Sequence, residues 1–229
     1  MMELTEQKKL EINKRHEANG VRFMDINTAY IDENVKIGSG TCIYPSVIIE
    51  GDSQIGENCV VGMCTRIENS VIGDGTQIQN SVIIESKVGN DTKVGPFAYM
   101  RPGSNVGNNC KVGDFVEIKN SNFGNGSKVS HLTYIGDADV GEEVNLGCGV
   151  VFVNYDGTNK YRSTVKDGAF IGCNSNLVSP VTVEEGAYVA AGSTVTTDVP
   201  SEALYVARSK GRVIEGWVKK RGLIKGRRK

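Results

Sequence analysis

The sequence predicts an all-β solenoid, a parallel β-helix of hexapeptide repeats, and three observations carry that prediction. An aliphatic residue recurs at every sixth position, as in Ile31, Ile37, Ile43, Ile49, Ile55, Val61 and Ile67. Glycine often follows it, as in Ile37-Gly38, Ile55-Gly56, Val112-Gly113 and Ile171-Gly172. The period fits neither an amphipathic helix at 3.6 nor an alternating strand at 2. It fits a chain that turns a corner every six residues and stacks its coils.

The elements follow in order. Residues 1–20 form an N-terminal segment in which 6–19 read as a helix, with Thr5 as its cap and Gly20 as its left-handed stop. Its Lys/Glu mixture predicts a solvated or docking helix, with His16 exposed on it. Residues 21–199 form the β-helix. Three hexads close one triangular coil, so residues 31–199 suffice for roughly nine coils. The inward series continues through Ile72, Ile78, Ile84, Val88, Val94, Met100, Val106, Val112 and Ile118, then Phe123, Val129, Ile135, Val140, Leu146 and Phe152. Its last run is Val165, Ile171, Leu177, Val183, Val189 and Val195. Several steps shorten, among them Ile67 to Ile72, Ile84 to Val88 and Ile118 to Phe123, and these read as tightened corners.

The largest break lies between Phe152 and Val165. Asn154 to Thr164 carries no inward aliphatic residue and has turn chemistry at Asp156-Gly157, so it reads as a loop thrown out from one corner. Residues 200–229 form a basic tail. From Arg208 onward Arg208, Lys210, Arg212, Lys219, Lys220, Arg221, Lys225, Arg227, Arg228 and Lys229 face only Glu215. It reads as solvated beyond Lys220, or as a cationic rim for a phosphate-rich ligand or a neighbouring subunit.

Composition narrows the classes. A net charge of -1 gives no whole-chain argument for nucleic acid. No apolar stretch approaches a membrane span, and Met1-Met2-Glu3 opens without a signal-peptide core. Six cysteines without a CxxC pair read as small buried thiols in a reducing, cytoplasmic setting. His131 is the one histidine in the β-helix, too few for a three-imidazole zinc site, so no catalytic metal is expected.

The repeat also works as a ruler. Met100 and Ile118 are three hexads apart, so Arg101 and Lys119 should stack in successive coils along one corner. Ile135 and then Phe152 return to that corner, just before Asn154. His131 and Tyr134 lie on the side leading into it. Two stacked cations beside a histidine suit a substrate that carries both a phosphate and a nucleophile.

The motifs Tyr99-Met100-Arg101-Pro102-Gly103, Gly113-Asp114-Phe115-Val116-Glu117-Ile118-Lys119, His131-Leu132-Thr133-Tyr134-Ile135-Gly136-Asp137 and Asn154-Tyr155-Asp156-Gly157-Thr158-Asn159-Lys160 continue through Ala190-Ala191-Gly192-Ser193 to Glu215-Gly216-Trp217. Over nearly the whole chain this pattern resembles the acetyltransferase half of the bacterial bifunctional glucosamine-1-phosphate acetyltransferase/N-acetylglucosamine-1-phosphate uridyltransferases. The resemblance implies a left-handed β-helix. It also implies acetyl transfer from acetyl-CoA to the amine of glucosamine 1-phosphate, toward UDP-N-acetylglucosamine for the cell wall. His131 would be the general base. Arg101 and Lys119 would bind the sugar phosphate, with Tyr134 and Lys160 beside them, and Asn145 would contact the sugar. Asn154 would orient the sugar and amine, and Tyr155 would hold the acetyl carbonyl. Cys148, Cys173, Ala191 and Arg208 would lie along acetyl-CoA. The family implies a homotrimer with intersubunit sites.

The chain departs from that pattern where Cys173 replaces a common serine, Cys148 a common alanine, and Ile214 a lysine. Cys148, Cys173 and Ala191 share the third place of their hexads, a column of small side chains along which a pantetheine arm could lie. Direct transfer needs no covalent intermediate on Cys173. The uridyltransferase domain and its Gly-rich loop are absent from the sequence, which reads either as an acetyltransferase-only protein, served by a separate uridyltransferase, or as a fragment of a longer one. Two other readings stand beside this one. The first is acetylation of another amino sugar or nucleotide sugar. The second is a non-catalytic sugar-nucleotide binding module.

Overall fold

The computed structural model describes residues 5–223. The chain winds into the left-handed parallel β-helix that the repeat predicts. Three parallel sheets of 11, 10 and 9 strands form the sides of a triangular prism, and each strand pairs with the strand three further along the chain until the last, Leu204–Tyr205, which pairs with the strand two before it. The prism is hydrophobic inside because each strand sends one side chain inward. On the ten-stranded face Ile31, Ile49, Ile67, Ile83, Met100, Ile118, Ile135, Phe152, Leu177 and Val195 form an unbroken inward column, each 0% exposed. Burying one such side chain contributes about 1.5–3 kcal/mol.

The corners are closed by buried hydroxyls. Thr41, Thr76, Thr92 and Ser127 each donate to a carbonyl and accept an amide from the next coil, at Cys59, Thr92, Cys110 and Val144 respectively. Backbone groups that turning would otherwise orphan are thus paired.

Two features of the β-helix differ from the sequence reading. The inward residue of the strand Val82–Ile84 is Ile83, which pairs with Ile67 and Met100, and Ile84 is not fully buried. The chain therefore takes two five-residue steps, Ile78 to Ile83 and Ile83 to Val88, in place of a six and a four. In addition, Leu204–Tyr205 pairs with Tyr188–Val189, so ladder structure continues into the stretch read as tail.

The N-terminal helix spans Glu6–Ala18, and Thr5 Oγ1 accepts the Lys8 amide as its cap. It docks on the first coils. Asn13 donates to the carbonyls of Ile26 and Ala29 at 2.8 and 3.0 Å, and Arg15 donates to that of Glu33. His16 is not exposed as expected; it is 4% exposed on the docked face with Lys9, Ile12 and Asn13. Burial, and then the Arg15 charge, push its pKa below the ordinary histidine value.

The cysteines also divide differently from the sequence reading. Cys42, Cys59 and Cys110 are buried, whereas Cys64 and Cys173 are exposed and Cys148 is half-buried. All six are free thiols. The described basic residues from Arg208 to Arg221 are exposed around a short helix, Trp217–Lys220. Lys225, Arg227, Arg228 and Lys229 lie outside the described residues, as do Met1, Met2 and Glu3. Among the described residues no helix is long and apolar enough to cross a membrane.

Candidate active site

The five-residue corners each count as one side, so the register argument from sequence can be read directly. Tyr99 pairs with Glu117 and Met100 with Ile118, which places Arg101 over Lys119; Lys119 in turn pairs with Gly136. Tyr134 pairs with Val151 on the following coil. Arg101, Lys119, Tyr134 and Asn154 therefore gather toward one edge of the ten-stranded face.

The cations at that edge do not stand alone. Arg101 Nη1 bonds Glu117 Oε1 at 2.9 Å. Lys119 Nζ bonds Asp137 Oδ2 at 3.2 Å. Asp137 is 7% exposed and also accepts from Asn120 Nδ2 at 2.7 Å and Asn154 Nδ2 at 2.5 Å. Burial raises the Asp137 pKa, but the bonds from Asn120, Lys119 and Asn154 outweigh it, and the net pKa lies below the ordinary carboxylate value. One buried carboxylate thus orients both Lys119 and Asn154. The Tyr134 phenol lies over Gly136, where a Cβ would fall 2.3 Å from its Oη, and Asn154 Nδ2 approaches that oxygen at 3.5 Å.

His131 ends the strand Lys128–His131 of the eleven-stranded sheet, at the corner that bounds the opposite edge of the ten-stranded face. The chain then crosses that face through Tyr134–Gly136 to Asp137. Five residues, turning a corner at Leu132, separate His131 from the Lys119–Gly136 row, a span of less than the roughly 17 Å that fully extended chain would reach. In the adjacent coil His131 has a partner, Asp114, its register neighbour. His131 Nδ1 lies 2.6 Å from Asp114 Oδ1. The hydrogen bond to His131 holds the Asp114 carboxyl below its ordinary value. With the Nδ1 proton directed at the carboxylate, Nε2 is left as the basic nitrogen on a half-exposed ring.

The small-residue column continues from His131 along that edge. Asn145 pairs with Lys128 and with Phe170, and Leu146 pairs with Val129 and with Ile171. Two residues further on, Cys148 follows His131 in the column, and Cys173 follows Cys148. The Asn174 amide meets the Cys148 carbonyl at 2.8 Å, and the Gly192 amide meets that of Cys173 at 2.8 Å, which brings Ala191 next. The Arg208 guanidinium donates to the Ala191 carbonyl.

The loop at the break spans residues 154–162, and pairing resumes at Ser163–Val165. Asp156 accepts the Thr158 and Asn159 amides, both at 2.7 Å, and Tyr155 bridges Lys160 across it. Tyr155 Oη donates to the Gly157 carbonyl at 2.6 Å, and the Tyr155 and Lys160 side chains are exposed. Arg162 anchors the loop. It grips both oxygens of Asp139, at 2.5 and 2.6 Å, and donates to the carbonyls of Asn120 and Ala138.

One face thus carries a cation and amide cluster at one edge and a carboxylate-oriented histidine with an open column at the other. Asp114, Asp137 and Arg162 were given no role from sequence. The ruler that stacked Arg101 on Lys119 also places Asp114 beside His131, so that contact was within reach. Among the described residues there is no group of three His, Cys, Asp or Glu side chains that could hold a metal ion.

Comparison with known proteins gives two family matches. Residues 85–120 match the bacterial transferase hexapeptide (six repeats), and residues 26–99 match the GMPPB C-terminal domain. The chain is similar to the bifunctional protein GlmU of Clostridioides difficile, at 56% identity over 92% of this chain and 46% of that protein. It is likewise similar to GlmU of Alkaliphilus oremlandii, at 58% over 93% of this chain and 47% of that protein. The chain spans about half the length of the curated relatives it matches. Among solved structures it resembles the UDP-N-acetylglucosamine acyltransferases of Francisella novicida and Arabidopsis. Their TM-scores are 0.53 and 0.55 at 21% and 18% identity, over 85% and 77% of this chain and 72% and 69% of those chains. These two likenesses speak to the fold alone.

Proposed function

We propose that the chain, similar over nearly its whole length to about half of bifunctional GlmU and carrying a matched hexapeptide-repeat segment, transfers an acetyl group from acetyl-CoA to the 2-amino group of glucosamine 1-phosphate. The observation that carries this reading is the Asp114–His131 contact, 2.6 Å from carboxylate to Nδ1. An amine must lose a proton to become an acyl acceptor, and a neutral imidazole oriented through Nδ1 can take it at Nε2. As the amine nitrogen bonds to the thioester carbonyl carbon, His131 takes its proton. As the carbon–sulfur bond breaks, the same proton can pass to the departing thiolate. The Asp114 carboxylate stabilises the imidazolium between those steps.

Arg101 and Lys119 supply charge for the sugar phosphate, helped by Lys160 on the loop. Phosphate must compete there with Glu117 and Asp137, which already pair with the two cations. Asn154, held by Asp137, Tyr134 and Asn145 are assigned to the sugar. Tyr155 is assigned to the acetyl carbonyl, where negative charge develops during attack. The column Cys148, Cys173 and Ala191 is assigned to the pantetheine arm, with Arg208 at its end. Gly147 and Gly172 keep that edge low. A Cβ on either would fall within 2.6 Å of the backbone of the next coil.

We assign the working form as a homotrimer with sites between subunits. The two half-sites at opposite edges of one face support this, because one copy's base edge can meet another copy's cation edge. Exposed apolar corners support it too. Phe97 and Phe115 stack at 5.5 Å with Leu132 exposed on the same corner. All three have positive φ (60°, 56° and 47°), a conformation such residues rarely adopt. The enzyme is assigned to the cytoplasm, where acetyl-CoA and sugar phosphates are available, with a uridyltransferase consuming its product. The test is product identification with acetyl-CoA and a panel of amino sugars, sugar phosphates and nucleotide sugars. N-acetylglucosamine 1-phosphate as the preferred product supports the reading. Preference for a nucleotide sugar, or no product from any acceptor, contradicts it.

A further inference from the structure

Two cysteines occupy successive rungs of the open column. The pairs Asn145–Phe170 and Leu146–Ile171, and the Asn174 amide on the Cys148 carbonyl, set Cys148 opposite Cys173. Register neighbours on parallel strands are spaced about 4.8 Å. Disulfide-bonded Cα atoms usually lie roughly 4.4–6.8 Å apart. Both thiols are free, Cys173 is exposed, and Cys148 is half-buried. The other cysteines differ. Cys59 and Cys110 donate their thiols inward to the Gly73 and Gly124 carbonyls at 3.1 Å, and burial raises their pKa values. Cys42 is also buried, and Cys64 is exposed in an earlier coil.

We propose that Cys148 and Cys173 form a vicinal dithiol that a low-molecular-weight disulfide converts reversibly into an intrachain bridge, closing the column beside His131. The Cys173 thiol loses its proton and attacks the small disulfide, forming a mixed disulfide and releasing one small thiol that takes up that proton. The Cys148 thiol then loses its proton and attacks the Cys173 sulfur, forming the bridge and releasing the second small thiol. The two cysteines are oxidised by two electrons, and the small disulfide is reduced by two. Side chains that point the same way from neighbouring rungs keep their Cβ atoms near the rung spacing, beyond the usual separation of about 3.8 Å. Such a bridge is stretched, and stretched disulfides are readily reduced. The chemistry stands on register alone. The consequence, loss of coenzyme binding, rests on the acetyl-transfer reading.

The test treats the full chain with oxidised glutathione, alkylates the remaining thiols and maps the peptides by mass spectrometry. Cys148 and Cys173 should disappear together from the alkylated pool, appear as one cross-linked pair, and return on reduction with dithiothreitol. Cys64 should carry only a glutathione adduct. In Cys148→Ala, Cys173 should retain glutathione because its resolving partner is gone. Separate adducts on the two cysteines of the unaltered chain, or two thiols that stay alkylatable, overturn the proposal. Acetyl-CoA titration of the reduced and bridged forms tests the closure. Binding by the reduced form only supports it, and equal binding by both overturns it. A bridge that forms in a chain whose reduced form binds no acetyl-CoA overturns the acetyl-transfer reading, and the closure with it, while the dithiol stands.

Discussion

Asp114 and His131 are register neighbours on adjacent coils, and the carboxylate holds the imidazole Nδ1 at 2.6 Å. Gly113 makes this approach possible. A Cβ there would lie 2.0 Å from the Ser130 carbonyl oxygen, so only glycine lets the two coils close where Asp114 meets His131. In Asp114→Asn the side chain keeps its shape but loses the charge that favours the imidazolium. Turnover should fall about ten- to a hundredfold, less than the roughly 10²–10⁴ expected on deleting a general base. The Michaelis constant for acetyl-CoA should change little. A rise in that constant with turnover unchanged would assign Asp114 to binding.

Asp137 ties Lys119, Asn120 and Asn154 together, and its effect should depend on pH. Its folded pKa lies below the ordinary aspartate value of 3.8. Its stabilisation is therefore complete at neutral pH and above the unfolded value, and it is lost as pH falls from about 4 through the lower folded value. Asp137→Ala should lower stability by about 1–3 kcal/mol at neutral pH, because the buried Asn154 amide and the part-buried Lys119 lose their acceptor. The difference from the unaltered chain should shrink on acidification. Urea midpoints from neutral pH to about pH 3 check this, and a difference that grows toward acid would contradict it.

Arg162 is the clamp on the loop that carries Asn154, Tyr155 and Lys160. Arg162→Lys keeps the charge but cannot grip both Asp139 oxygens and two carbonyls at once. The pair is part-exposed, so the loss in global stability should stay below about 1 kcal/mol. Local opening should nevertheless rise. Hydrogen exchange of the Asp156 and Tyr161 amides, bonded to Asn159 and Asn154 carbonyls, is the readout. Unchanged protection there would remove Arg162 from that role.

Two glycines on the site should respond differently to alanine. At Gly113 the new Cβ meets backbone, which cannot step aside, and destabilisation of about 1–3 kcal/mol is expected. At Gly136 it meets the Tyr134 phenol, the far end of a side chain. Gly136→Ala should therefore fold near normally and swing Tyr134 away, with weaker use of the sugar acceptor as its main effect. Thermal unfolding and acceptor titration of the two variants separate these outcomes.

How much of this was legible in the sequence depends on what each residue's pattern encodes. The column from Ile31 to Val195 could be read because one inward aliphatic residue per side is a strict demand of the coil. Ile83 was missed because Val82-Ile83-Ile84 offers three aliphatic residues in a row, and period alone cannot choose among them. His16 was misplaced because the buried helix face, Lys9, Ile12, Asn13 and His16, has helical spacing but polar chemistry. The stacking of Arg101 on Lys119 followed from counting. The Arg162–Asp139 clamp did not, because a loop's return path has no period to count. Cys148 and Cys173 shared a hexad place in sequence, but their exposure came only with the fold.

The most direct test of the account is the rate of thiol release from acetyl-CoA in the presence of glucosamine 1-phosphate, comparing the unaltered chain with His131→Ala. The account predicts acceptor-dependent release by the unaltered chain. It predicts a fall of about 10²–10⁴ in the variant, with the same oligomeric state and unfolding midpoint. Near-equal rates in a folded variant, or no acceptor-dependent release by the unaltered chain, would contradict it.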